Sequence, residues 1–303
     1  MIPAEQVKSV EVITSPTAKY DGEGESGIIN IITQQKQITG FKSTIRGSLG
    51  TRVNKQSFDI NYGKGKFGFS ARGSARYGWP LGGQQTFSRK DETRNITITK
   101  NAQTIGQWIG FGGTSELYYD INPYNSIVSS VQLRGNRQTN QEWAYDSTYS
   151  SILEDSFLEQ IAFEVVDTSR YSDSKNLNYG YEWTTDYVKQ FADHEDRELR
   201  FAFQLGGNVT DDNNNVYSNY SNGTYFDSIV NKNDGSPLSF TYQIDYTHPL
   251  NKHSIELGAK YINRNMINEY STFESDTMIY TIPYEQFDYT QNVFAAICRV
   301  NGN

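Results

Sequence analysis

The sequence predicts an all-β protein made of antiparallel strands, arranged as a transmembrane β-barrel or as a soluble sheet structure. Three observations predict it. Polar and apolar residues alternate with a period of two, segment after segment, from about residue 40 onward. The 303 residues include 22 Tyr and 16 Phe against 7 Pro, a composition that favours strands over helices. Short and long connections alternate between the periodic segments.

Residues 1–36 differ from the rest. A short strand is expected from Val10 to Thr14. Ser15-Pro16 then reads as a helix N-cap and first-turn proline, opening about one helical turn through Tyr20. Asp21 to Gly27 reads as a turn, and Ile28 to Thr33 as an almost wholly apolar strand, expected to be buried on both faces. This unit is too small to fold alone and needs a larger body around it.

The periodic segments lie near residues 41–51, 56–62, 67–77, 106–119, 126–137, 177–189, 198–210, 238–248, 253–265 and 286–299. In the clearest, Leu199, Phe201, Phe203, Leu205 and Val209 share one face, and Arg200, Gln204 and Asn208 the other. The same sorting places Arg46, Arg72, Arg76, Arg134, Glu182, Arg200 and Lys260 on a polar face, away from Ile45, Phe201, Phe203 and Leu257. Gln291 interrupts the apolar face of the last segment. Each segment approximates the roughly ten residues that cross a bilayer as a tilted strand.

Tight links are expected at Gly63–Lys66, Asn122–Asn125, Ala192–Arg197 and Pro249–Lys252. Polar loops are expected near 78–105, 138–176, 211–237 and 266–285, and Thr51 to Lys55 is a short exception on the loop side. Short turns at one rim and long loops at the other are the habit of outer-membrane barrels. Tyr77, Tyr118, Tyr119 and Tyr246, near strand ends, suit interfacial aromatic girdles. A soluble sandwich, propeller or lectin-like protein would show the same alternation, so periodicity alone leaves both readings open.

Other classes find little support. A net charge of −8 argues against a nucleic-acid surface. Cys298 is the single cysteine and cannot form an internal disulfide, and His194, His248 and His253 are too few and too scattered for a zinc cluster. No apolar run reaches the length of a membrane helix, and the mean hydropathy of −0.66 reads as soluble only on a scale blind to β-barrels. Asp211 to Asn215 lacks the Gly and terminal Glu of a calcium loop, so a solvated loop is expected there. His194 beside Glu195, and the pair His248 and His253 flanking one turn, read as turn and rim residues before they read as metal ligands. Gly110-Phe111-Gly112-Gly113 lies inside a strand and is no phosphate loop. Asn95, Asn208 and Asn222 fit the glycosylation pattern, a short motif that arises often by chance and carries little weight alone. No catalytic constellation is legible, so no enzyme, cofactor or metal is expected. Trp79, Trp143, Tyr145, Tyr217, Tyr220 and Tyr225 are ring-bearing candidates for ligand contact, and no ligand-binding site can be assigned among them.

The stretch Ile2 to Asp21, with Val10-Glu11-Val12-Ile13 at its centre, resembles the end of the plug domain of TonB-dependent outer-membrane receptors. Gly27-Ile28-Ile29-Asn30-Ile31-Ile32-Thr33 resembles that plug's final strand. The residues are most similar to those of Bacteroidetes-type receptors. Tyr20-Asp21 replaces the family's usual Tyr-Gly, and Ser26-Gly27 its usual Gly-Gly. The resemblance covers about a tenth of the chain; elsewhere only the barrel pattern is shared. It implies a division into a C-terminal plug segment, 1–36, and an N-terminal portion of a transmembrane barrel, 37–303. It implies a fragment with about ten of 22 strands. It further implies outer-membrane lipid around the barrel, a scarce nutrient as ligand, and the TonB complex as energy-relaying partner. Surface binding or adhesion without uptake, or soluble carbohydrate binding, are the alternatives.

Overall fold

The computed structural model describes residues 7–13, 28–33, 39–92, 96–153, 161–220, 226–250, 253–275, 280–281 and 284–302. Strands β1 (Val7–Ile13) and β2 (Ile28–Thr33) pair antiparallel as a separate two-stranded sheet. The strand predicted at Val10–Thr14 thus begins earlier, at Val7. The helical turn and the glycine-rich turn expected between these strands lie outside the described residues, as do the side chains of both strands.

The remaining strands form one antiparallel sheet. Its main path runs through β3 (Gly40–Ser48), β4 (Val53–Lys64), β5 (Phe67–Gly78), β7 (Ile96–Asn122), β8 (Asn125–Leu153), β9 (Ile161–Phe191), β10 (His194–Tyr220), β12 (Leu238–Leu250), β13 (His253–Ser275) and β15 (Tyr284–Gly302). Every predicted segment overlaps one of these strands, and all but the first lie within it; the segment expected at 41–51 runs three residues past the end of β3 at Ser48. β6 (Leu81–Asp91) pairs with the far end of β7, β11 (Phe226–Gly235) bridges the far ends of β10 and β13, and β14 (Tyr280–Thr281) touches β13. Among the described residues β3 and β15 each have one strand neighbour, so the sheet has two open edges.

The predicted loops are the main correction. Most of 78–105, 138–176, 211–237 and 266–285 is strand, and β7 to β10 reach 27 to 31 residues. Residues 138–149 and 165–176 carry polar side chains on both faces, with only scattered rings (Trp143, Tyr145, Tyr149 and Tyr171) on the outward one, so no apolar run marks them. Paired as a hairpin they satisfy their own backbone groups, and water accepts either face. The bilayer-length segments are therefore the lower parts of longer strands.

The tight links fall where expected, although the one expected over Ala192–Arg197 shortens to two residues, since β10 begins at His194 with a register shift before Glu198. Gly65 adopts a φ of 58°, a left-handed conformation open to glycine, between the paired Lys64 and Phe67. Asn122 Oδ1 accepts from the Tyr124 backbone N–H at 2.9 Å, a side chain holding its own turn. Lys66 Nζ donates to the Ile121 carbonyl at 2.8 Å, which ties adjacent turns together. Of the fourth turn, Asn251 and Lys252 lie outside the described residues.

Register carries each face across the sheet. Phe69, Leu117, Ser129, Thr185, Phe203 and Tyr242 are successive cross-strand partners, while Ser70, Glu116, Ser130, Thr184, Gln204 and Thr241 form the adjacent row on the opposite face. The predicted sorting survives throughout: the named Arg, Glu and Lys residues share one face and Ile45, Phe201, Phe203 and Leu257 the other. Two details change. Gln291 pairs with Arg264 on the charged face, and the polar break in the apolar face is Asn292 opposite Asn263. Tyr118 also lies on the charged face, donating to Asp120, so of the proposed girdle only Tyr77, Tyr119 and Tyr246 face outward. Both are parity errors of one residue, which in a strand reverses the side chain's face.

Glycines let aromatic rings lie flat on the apolar face. Phe111 stands opposite Gly135, where a Cβ would meet its ring at 2.7 Å and the Tyr179 Cβ at 3.0 Å. Phe58 over Gly73 and Tyr181 over Gly207 repeat the arrangement, a ring covering the bare backbone of its cross-strand partner.

Candidate functional site

The apolar face is the first functional surface. Phe201 is 44% exposed, Tyr242 51%, Leu257 44% and Leu133 52%, and the only buried hydrophobic residues among those described are Ala102 and Ala144. A soluble sandwich buries this face under a second sheet; no described element covers it. From Leu199 to Val209 the face is continuously apolar on β10. Ten residues span about 33 Å along a strand, or about 25 Å at the usual tilt, the height of a lipid-facing band. Rows beyond it turn charged, with Arg137, Asp211, Asp234 and Glu269 at one level.

Residues 189–301 match the model of the outer membrane protein beta-barrel family. No match was found among curated proteins or among solved structures. The sheet is part of a bacterial outer-membrane β-barrel. Its apolar face meets outer-membrane lipid, and its charged face is the lumenal one.

Within the barrel wall the lumenal face is a lattice of short polar pairs. Arg200 Nε donates to Asp186 Oδ1 at 2.8 Å, Gln204 Nε2 to Glu182 Oε2 at 3.0 Å, and Arg264 Nη1 to Gln291 Oε1 at 3.3 Å. Ser130 and Thr184 hydroxyls share a hydrogen bond of 2.8 Å. Such pairs fix side-chain positions against a low-dielectric wall and leave further donors and acceptors facing inward.

The same face continues above the lipid band onto the long hairpins, where a second cluster forms. Lys100 Nζ lies 2.7 Å from Glu142 Oε1, and Arg170 Nη2 lies 3.2 Å from Asp146 Oδ2 and 3.9 Å from Glu142 Oε1. Asp146 Oδ1 and Asp227 Oδ1 are buried without a hydrogen-bond partner in the chain. The cluster thus offers an acceptor, Asp146 Oδ1, beside fixed cations at the mouth of the lumen, and Asp227 lies two strands from Arg170 in the same row. It offers no nucleophile with an oriented base. Its ion pairs join residues 42 (Lys100–Glu142), 28 (Glu142–Arg170) and 24 (Asp146–Arg170) positions apart, so no sequence spacing announces it.

The ring-bearing candidates divide. Trp143, Tyr145 and Tyr217 lie on the outward face of β8 and β10, joined by Tyr171, which sequence reading passed over. Tyr220 has the opposite parity and faces with the lumenal cluster. Trp79 packs edge-on against Tyr77 at 5.0 Å, and Tyr225 lies outside the described residues. The described rings therefore do not all share one face.

The remaining candidates behave as follows. Asp211 to Asn215 is strand, not loop; it pairs on both sides, and its side chains alternate between faces. His194 opens β10 just past its turn, and His248 Nδ1 bonds the Tyr246 hydroxyl at 2.9 Å. Among the described residues no group of His, Cys, Asp or Glu is placed to hold a metal ion. Gly110 is in a strand as expected, but what crowds it is the Trp108 ring, 2.6 Å from where a Cβ would sit. At the turn rim Arg197 binds the Tyr246 hydroxyl and Asp193 and lies over the Phe191 ring at 4.3 Å. The hydrogen bond from Arg197 holds the Asp193 carboxyl below its ordinary range.

Proposed function

We propose that this chain supplies part of a TonB-dependent receptor that binds a scarce nutrient at the cell surface and imports it with energy relayed by TonB. The observation that carries the reading is the separate sheet of β1 and β2, formed by the two segments whose residues resemble the end of a plug. In a 22-strand barrel such a plug fills the lumen. The two open sheet edges favour further strands, because unpaired backbone is not tolerated in lipid. The lumenal lattice and the Lys100–Glu142–Arg170–Asp146 cluster suit a polar ligand such as a siderophore, cobalamin, oligosaccharide or peptide. The chain contributes binding and passage, without catalysis.

The test is nutrient depletion by the native host with and without this gene. The reading requires a nutrient whose uptake needs the gene, needs TonB, and stops when a protonophore collapses the proton gradient. Uptake indifferent to all three, with surface binding intact, refutes it in favour of a binding or adhesion barrel.

A further inference from the structure

The outward face above the lipid band carries a ladder that the uptake reading does not use. Trp143 on β8, Tyr171 on β9 and Tyr217 on β10 are successive cross-strand partners, with ring centroids 5.4 Å and 6.2 Å apart. Trp143 is 44% exposed, and Tyr145 beside it 49%. Gln103 and Gln141 flank the ladder on the same face.

We propose that this face binds a phosphorylated glycolipid of the outer leaflet, lipopolysaccharide, by its sugars and phosphates together. The argument is the order of side chains along one strand. On the outward face of β8, Val131 and Leu133 lie in the lipid band, Arg137 follows, and Trp143 and Tyr145 lie beyond. At about 3.3 Å per residue, Arg137 stands about 13 Å from Leu133 along the strand, and Trp143 about 20 Å further. Acyl chain, phosphate and sugar follow one another in the same order in the lipid. β9 repeats the sequence with Tyr179, the exposed Lys175 and Tyr171, although Lys175 also pairs with Asp173 at 3.4 Å. Aromatic faces stack on sugar rings, guanidinium groups grip phosphate, and amides take hydroxyls. The carboxylates of Asp211, Asp234 and Glu269 repel phosphate on the β10–β13 side, whereas on the outward face of β9 the carboxylate of Asp173 is paired with Lys175 and that of Asp167 is bonded by the Tyr145 hydroxyl. The ladder continues a face already in contact with lipid, so a lipid-anchored glycan reaches it without leaving the membrane.

The test uses the purified protein in detergent with three probes: rough lipopolysaccharide retaining its core sugars, lipid A lacking them, and core oligosaccharide freed of lipid. The expected result is about tenfold tighter binding of rough lipopolysaccharide than of lipid A, the scale of two stacking rings. Trp143→Ala with Tyr171→Ala erases that preference, Trp143→Phe retains most of it, and Arg137→Ala weakens both lipids alike. Equal binding of both lipids by the unaltered protein overturns the proposal, as does equal affinity for free core oligosaccharide or a preference that survives the double substitution. The unaltered protein decides two of these outcomes, so a variant that fails to fold does not block the test. Uptake plays no part in it.

Discussion

Replacing Phe203 by Arg tests the face assignment most directly. Phe203 lies on the outward face of β10, four residues from Leu199 and six from Val209, near the middle of the lipid band. Its ring packs on Trp183 at 5.3 Å and on Tyr242 at 5.1 Å. An arginine at the bilayer midplane costs about 2–4 kcal/mol. Losing two aromatic pairs adds about 0.5–1.5 kcal/mol each. The expected destabilisation is therefore about 3–7 kcal/mol, a large fraction of a domain's whole stability. Gln204→Arg is the control: its neighbour Glu182, now 3.0 Å from the amide nitrogen, would accept the new guanidinium, and the change should stay within about 1 kcal/mol. Urea titration in lipid vesicles, with folded barrel read by heat-modifiable gel mobility, measures both. Equal losses for the two variants would refute the reasoning, and a greater loss for Gln204→Arg would reverse the faces.

Three further outcomes are expected. Gly135→Val, forced between the Phe111 ring and the Tyr179 Cβ, should destabilise the fold by about 1–3 kcal/mol in the same titration. Arg170→Ala leaves Glu142 and Asp146 without their shared cation; hydrogen exchange should quicken in residues 137–149 and 165–178 while 126–136 stays protected, for a cost of about 1 kcal/mol after solvent screening. Asp193 has a carboxyl pKa lowered below 3.8 by its bond from Arg197, so its contribution is present above that value and is lost as pH falls through the lower folded-state value. The difference in urea midpoint between the native protein and Asp193→Asn should accordingly be full at neutral pH and shrink under acid; a difference that grows under acid contradicts the assignment.

The membrane-crossing strands were legible because lipid imposes a rule on them: every second residue must be apolar, as Leu199 to Val209 shows. Above the band no such rule acts. Gln138 to Tyr149 is as strongly paired as any segment, yet it has no continuous apolar face, and its strand character rests on pairing with β7 and β9 that no local window contains. The same blindness hid the candidate site. Lys100, Glu142 and Arg170 meet only through cross-strand register, and Tyr171 joins the aromatic ladder because it stands opposite Trp143. Trp143 and Tyr220 were legible as rings, but their opposite faces were not, since facing outside the bilayer is set by parity counted from the bilayer. Gln291 and Tyr118 show how easily that count slips by one.

The long hairpins also bear on how such a wall is made. A barrel inserted from the periplasmic side must carry the upper halves of β8 and β9 through hydrocarbon, and with them Glu142, Asp146, Arg170, Asp173 and Lys175. Arg170 or Lys175 crossing singly meets a barrier of about 2–4 kcal/mol at the midplane, and each carboxylate a smaller one. An unpaired strand would add the desolvation of every backbone group. Zipped from the tip, where Leu153 faces Ile161, the hairpin crosses with its backbone bonds closed and its ion pairs formed. The order of assembly is thereby constrained: the most polar part of the structure must pair early, and its passage calls for a thinned or assisted membrane.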